Sequence, residues 1–250
     1  LLDIHHIIAD GASLSVLFGD ISRAYSGEKL RIEPYSAFSI ALDEAKNRES
    51  EAYKEARAYH DRIFQGVMAD SLPEGDLSGS LKNLNESRCY EKFSESINPQ
   101  KADAFCKKYQ ITPNVLFTAA FAYTLARWKN EHEALFTVIY NGRTDPRTAS
   151  TIGMLVKTLP VYIDIDSVQS VGEYLEAVKE NLTGLMANDI FSFAEISRAY
   201  GIRPDIIFAY QGEELTTLPI AGKAAERIPI FLHTAKAPLS IDVFSDKNGY

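Results

Sequence analysis

His5-His6-Ile7-Ile8-Ala9-Asp10-Gly11-Ala12-Ser13 is the one segment of this chain that concentrates proton-exchanging side chains next to an apolar run. Leu1-Leu2-Asp3-Ile4 leads into it, so residues 1–8 are expected to be extended, with Asp10-Gly11 breaking the strand. Adjacent side chains on an extended segment point to opposite sides. His5 and His6 are therefore poor joint metal ligands, and no third ligand stands at a recognisable spacing. One ring can enter a cleft while the other is held in the protein. An imidazole titrates near pH ~6.5, which suits proton transfer at cellular pH. Asp10 can fix the turn or pair with a cation, and Gly11 permits a backbone conformation or a close approach that a side chain would block. Spacing alone also describes a satisfied core histidine followed by a turn.

Working outward, Ser13 can cap a helix over 14–25, with Leu14, Leu17, Phe18 and Ile21 at helical spacing. A second helical stretch covers 35–64. Its later half is charged, with Glu44/Arg48 and Arg57/Asp61 spaced to pair on a solvated face, which also puts His60 in solvent. Residues 66–87 are rich in Gly, Pro and Ser and mark the best boundary, dividing 1–87 from 88–250. Beyond it strands and helices alternate. Residues 88–96 read as a strand. Asn98-Pro99 and Thr112-Pro113 each open a helix, the first with Cys106 as a packing thiol, the second apolar nearly all round and so central. Residues 135–140 form a strand covered on both faces, Asn141-Gly142-Arg143 turns the chain, and 152–165 are extended. Ser170 and Glu173 make a capping box; a short helix follows near 193–200, then strands at 206–210, 228–233 and 239–244. His132 falls in a polar loop and is expected in solvent; His233 ends an apolar strand, in the core or lining a cleft.

Composition narrows the function. The 250 residues can bury a substantial core, and 46% hydrophobic with 24% charged residues is ordinary for a globular chain. A net charge of −8 without a basic stripe speaks against nucleic acid as partner. Cys89 and Cys106 lie far apart, as expected of a reduced, cytoplasmic protein. No apolar run approaches the roughly 18 residues of a membrane span. There is no G-x-S-x-G elbow for a serine nucleophile. The opening Leu1-Leu2 and the closing Asp246-Lys247-Asn248-Gly249, a hairpin without its return strand, lead us to expect a chain cut at both ends.

The segment His5-His6-Ile7-Ile8-Ala9-Asp10-Gly11 resembles the HHxxxDG motif of the condensation domains of nonribosomal peptide synthetases, members of the chloramphenicol acetyltransferase-like superfamily. Tyr35-Ser36-Ala37-Phe38 looks like a degraded YxDF element, and Asn141-Gly142-Arg143 resembles the family's Gly-Arg. The run from Ile152-Gly153-Met154-Leu155-Val156-Lys157 to Pro160 is similar to IGxFVNTxP, with Leu155 for Phe and Lys157 for Asn. Asn188-Asp189 to Glu195 weakly resembles QDxPFE, and 206–211 the strand ending in Tyr-Gln. Order and spacing agree over the whole chain.

The resemblance implies a mixed α/β sandwich: a chloramphenicol acetyltransferase-like lobe at 88–250 and part of a second, similar lobe at 1–87. It implies amide formation between acyl or aminoacyl thioesters carried on 4'-phosphopantetheine arms, with carrier proteins and adjacent synthetase domains as partners and no cofactor or metal of the domain's own. His6 is the catalytic candidate. His5, Asp10 and Gly11 are support, while Ser13 (if not a helix cap) and Lys157 line the tunnel. The resemblance also implies that the arginine commonly paired with the motif aspartate lies outside this chain, leaving Asp10 without it. An acyltransferase or epimerising enzyme of the same fold, or a non-catalytic docking module, are the alternatives.

Overall fold

The computed structural model describes residues 3–30, 32–68, 72, 97–213, 223, 236–245 and 249–250. The strands expected at 88–96 and 228–233, with Cys89 and His233, lie outside the described residues, as do Asp246, Lys247 and Asn248 of the expected hairpin. No described helix is long and apolar enough to cross a membrane.

Elements begin where side chains can satisfy free backbone groups. Helix α1 (Gly11–Tyr25) is followed by α2 (Ala37–Asn47), capped by Ser36, and α3 (Glu51–Phe64). The stretch expected as one helix is thus two. Ser50 ends one and starts the other, its hydroxyl donating to the Asn47 carbonyl and accepting from the Tyr53 N–H. Asn98-Pro99 and Thr112-Pro113 open α4 (Pro99–Tyr109) and α5 (Pro113–Lys129) as expected. Strand β1 (Glu133–Tyr140) follows, then a 3-10 turn (Pro146–Ser150) and β2 (Lys157–Asp164), shorter than the extended run read from sequence. Helix α6 (Val171–Ala187) is capped by Ser170. Its Glu173 carboxylate, however, accepts from the Gln169 N–H at 2.9 Å, and the reciprocal capping box stands at Ser192 and Glu195 of α7 (Phe193–Tyr200). Strands β3 (Ile206–Glu213) and β4 (Leu239–Ser245) complete a sheet ordered β2-β1-β3-β4, with β3 parallel to both β1 and β4.

Two compact units emerge, and neither follows a cut at 87. One comprises the described residues within 1–54, 140–157 and 215–230; the other those within 55–139, 158–214 and 231–250. The chain leaves the first unit in α3 and re-enters it for Tyr140–Lys157, so no single boundary separates them.

The second unit carries the sheet. Residues 134–138 of β1 are buried, but the cover expected for 135–140 stops there, since Ile139 is exposed. Phe121 of α5 stacks on Phe208 at 4.9 Å while meeting Phe136 edge-on at 5.0 Å. The expectation that α5 is buried all round is corrected: Val115, Ala119, Ala122 and Ala126 face the core, whereas Tyr123 and Trp128 are half or more exposed. A helix packed on one side of a sheet has an outer face, whatever side chains occupy it. Cys106 is buried, and burial raises its thiol pKa. His132 is exposed, paired with Asp166.

His60 corrects a second expectation. The α3 stripe of Ala56, His60 and Phe64 turns inward, and His60 is fully buried among Tyr59, Phe64 and Phe191. Its Nε2–H donates to the Asn188 carbonyl at 3.2 Å. Burial lowers its pKa against the opposing pull of that carbonyl and of Asp61. The expected surface pairs are also replaced: Glu44 meets Lys157, and Asp61 accepts from the Tyr200 hydroxyl.

Gly184 of α6 is required by the ring above it. A Cβ there would stand 2.1 Å from the Tyr59 hydroxyl and 2.6 Å from its ring carbon. Gly184→Ala is therefore expected to lower stability by about 1–3 kcal/mol through overpacking. Gly19→Ala in α1, where a Cβ meets only Arg23 at 3.7 Å, is expected to raise it by up to about 1 kcal/mol. Urea unfolding of the two variants measures both; two effects of the same sign would contradict the packing described.

Candidate functional site

The first unit is built around Asp10. Its backbone is extended (φ −112°, ψ −178°), and its carboxylate accepts the Ser13 N–H at 2.8 Å, so Asp10, not Ser13, caps α1. The helix starts at Gly11 because a carboxylate three residues before a free N–H is the stronger cap. Ser13 is fully buried, which also rules out the open tunnel-wall position expected for it. Its hydroxyl donates to Asp10 Oδ1 at 2.7 Å and accepts from the Gly153 N–H at 3.0 Å.

The cation is Arg143. Its Nη2 donates to Asp10 Oδ1 at 2.9 Å, to Oδ2 at 3.2 Å and to the Ser13 hydroxyl at 3.1 Å. Its Nη1 donates to the carbonyls of Thr148 at 2.6 Å and Thr151 at 2.9 Å. The Leu155 N–H completes the shell on Asp10 Oδ2 at 3.0 Å. The expectation that Asp10 lacks an arginine partner is thus corrected. In the sequence Arg143 ends a turn and belongs to a stretch resembling the family's Gly-Arg, and neither reading names it as the partner of Asp10; a buried aspartate's need for a cation is the signal that points to it. The side chains of Asp10 and Arg143 are 0% and 7% exposed. Burial alone would raise the Asp10 pKa, but the bonds from Ser13, Leu155 and Arg143 outweigh it and hold the carboxyl below its ordinary 3.8.

Gly142 makes the approach of Arg143 possible. It adopts φ +65°, and a Cβ would lie 2.0 Å from the Leu155 carbonyl oxygen. Gly11 has neither need. It is the first residue of a right-handed helix, and no described atom lies within 4 Å of where its Cβ would be. Around the knot, the Thr151 hydroxyl donates to the Tyr35 carbonyl at 2.5 Å and Arg147 lies over the Tyr35 ring at 4.1 Å. Lys157 lies 3.7 Å from Glu44 and is largely shielded from solvent.

The histidines stand on a turn, not on the strand expected for 1–8. The Ile8 N–H donates to the His5 carbonyl at 3.1 Å, closing the chain on itself where no described strand pairs with it. Both rings are exposed, while Ala9 and Asp10 that follow are buried. His6 Nδ1 lies 2.8 Å from the Ala9 carbonyl. A carbonyl has no hydrogen, so Nδ1 must donate, and the neutral ring then carries its lone pair on Nε2. The arrangement is that of an anchored, accessible proton acceptor. Among the described residues, no group of three His, Cys, Asp or Glu side chains is placed to hold a metal ion.

The family model described as the condensation domain matches residues 1–214. The chain is 24% identical over 258 residues to tyrocidine synthase 3 of Brevibacillus parabrevis, a match covering 100% of this chain and 4% of that protein. It is 26% identical over 254 residues to surfactin synthase subunit 1 of Bacillus subtilis (strain 168), covering 96% and 7%. Among solved structures, it is similar to the first condensation domain of the calcium-dependent antibiotic synthetase in complex with a substrate analogue: TM-score 0.67, 17% identity, 88% of this chain and 50% of that one. It is also similar to the epimerization domain from the third module of tyrocidine synthetase B: TM-score 0.72, 19% identity, 98% and 60%. The fold is therefore the mixed α/β, chloramphenicol acetyltransferase-like architecture expected, and the chain spans a small part of its curated relatives and about half of the related domains.

Breaking the Asp10–Arg143 pair from one side leaves a buried charge, so Asp10→Asn and Arg143→Ala are each expected to cost about 3–5 kcal/mol. The folded pKa of Asp10 lies below its unfolded value. Its contribution is therefore complete above about pH 3.8 and is lost as pH falls through the folded value. The gap between the parent chain and Asp10→Asn in urea titrations should be widest near neutrality and narrow in acid; a pH-independent gap would exclude an ionised Asp10 as the cause.

Proposed function

The chain belongs to the condensation-domain family, and from that premise we propose that it forms amide bonds between thioester substrates tethered to carrier proteins. The observation supporting this reading is the state of His6: Nδ1–H held by the Ala9 carbonyl, Nε2 bare, the ring open to solvent. In the reaction, the acceptor amine attacks the donor thioester carbonyl. An N–C bond forms and the C–S bond breaks. The amine proton passes to His6 Nε2 and from there to the departing sulfur, which leaves as the thiol of the pantetheine arm. His6 acts as base or as the hydrogen-bond acceptor that holds the amine in line. A base contributes typically ~10²–10⁴-fold, and alignment of two tethered reactants can contribute more.

Asp10 takes no proton in this scheme. Held ionised by Arg143 and Ser13, it fixes the start of α1 and, one residue before it, the Ala9 carbonyl that orients His6. Arg143 therefore joins the site as a supporting residue. The substrates arrive on the 4'-phosphopantetheine arms of carrier proteins beside neighbouring synthetase domains, and the domain supplies no cofactor of its own. The compartment proposed is the cytoplasm. Lys157, standing where the family pattern has asparagine, is proposed as a tunnel-lining residue whose charge Glu44 balances. An epimerising relative would use the same ring on a carrier-bound α-carbon and would yield inverted substrate instead of amide.

His6→Ala in the complete protein, assayed with donor and acceptor carriers loaded with defined substrates, should reduce amide formation by ~10²–10⁴-fold. Unchanged turnover would remove His6 from the mechanism, and inverted substrate without amide would favour the epimerising reading.

A further inference from the structure

The two histidines of the turn use the same ring atom in opposite ways. The Ile7 N–H donates to His5 Nδ1 at 3.1 Å, so that nitrogen must carry a lone pair. His6 Nδ1 lies 2.8 Å from the Ala9 carbonyl, so that nitrogen must carry a proton. His5 also accepts the Ile8 N–H with its own carbonyl at 3.1 Å. Ring and carbonyl of one residue thus hold both N–H groups that follow His6. These two bonds set the course of the chain from His6 to Ala9, and so the place of the carbonyl that His6 must reach.

We propose that His5 is a positioning residue: its Nδ1 acceptor locks the turn over 5–9 and thereby holds His6 in the Nδ1–H form with Nε2 bare. The significance for catalysis rests on the role proposed above for His6; the geometry does not. What the turn uses of His5 is an acceptor two bonds beyond Cβ, not an imidazole. Asparagine places its carbonyl oxygen at the same point and accepts from the N–H two residues on, the bond that defines an Asx turn. Alanine has no acceptor, and glutamine carries its oxygen one bond too far. The exposed position makes this acceptor matter, because water competes for the Ile7 N–H whenever the ring is gone.

The test is nitrogen-15 NMR of the full chain labelled at histidine, near pH ~8, where an ordinary imidazole is neutral. Correlations between ring nitrogens and carbon-bound protons report which nitrogen is protonated. In the parent chain His6 should show the Nδ1–H form, although a free imidazole side chain in water favours Nε2–H. His5→Ala should shift His6 toward Nε2–H, and His5→Asn should restore Nδ1–H. His60, buried in the other unit with its Nε2–H on Asn188, should keep its pattern throughout and reports intact folding. Should His5→Ala disturb His60 as well, His5→Gln takes its place. Persistence of Nδ1–H at His6 without the acceptor overturns the proposal, and so does its loss in His5→Asn. Turnover is a separate readout. His5→Ala should reduce kcat by up to about a hundredfold, the scale of a misplaced reacting group, with KM for loaded carriers unmoved and most of the rate recovered in His5→Asn. A tautomer shift without a change in rate would leave the positioning role standing and remove His6 from catalysis.

Discussion

A carboxylate and a guanidinium withdrawn from water, Asp10 and Arg143, set the terms for the first unit. Taking either ion out of solvent alone would cost several kcal/mol, and their attraction repays that only when the remaining lone pairs and protons are also satisfied. Here they largely are. Asp10 is bonded by the Ser13 N–H and hydroxyl and by the Leu155 N–H, while Arg143 donates from Nη1 to the carbonyls of Thr148 and Thr151 and leaves only its buried Nε–H without an acceptor among the described residues. The bonds from Arg143 and from the Leu155 N–H to Asp10, and from the Gly153 N–H to Ser13, tie segments remote in sequence to the start of α1. The knot therefore explains why the motif glycine-arginine at 142–143 and the backbone at 153–155 belong to the same unit as the histidine turn. Three stretches that look independent along the chain are donors and acceptors of one network.

The same constraint divides the chemistry. A residue that anchors must be buried and saturated, and Asp10 is both. The role proposed for His6 requires a reachable ring with one valence open, and His6 is exposed with its Nδ1 committed to the Ala9 carbonyl. The transition between the two happens across a few residues, from an exposed ring at position 6 to a buried carboxylate at 10. That steep gradient is what lets a rigid interior hold a group at the surface in one orientation and one tautomer.

Much of this was legible beforehand. Asn98-Pro99 and Thr112-Pro113 announce α4 and α5 because a capping side chain followed by proline is a local device, independent of what packs around it. The lack of polar alternation in β1 and the stripe of α6 likewise speak for themselves. What sequence could not supply depends on partners far away. Ser13 has the composition of a cap, but Asp10 outcompetes it once Arg143 fixes the carboxylate. His60 sits in a charged run, and only the inward face of Ala56 and Phe64 decides that it is buried. Gly11 looks like a conformational necessity and is not one, whereas Gly142, unremarked as such, meets the Leu155 carbonyl. Residues 3–8 have the composition of a strand, yet the Ile8 N–H found its acceptor at home.

The most direct measurement is a double-mutant cycle on unfolding free energy with Asp10→Ala, Arg143→Ala and the double variant. If the pair anchors the unit as described, the coupling should exceed about 1.5 kcal/mol, with the double variant much less damaged than the sum of the singles. Additivity to within about 0.5 kcal/mol would mean the two side chains do not depend on each other, and the account built on them would fall.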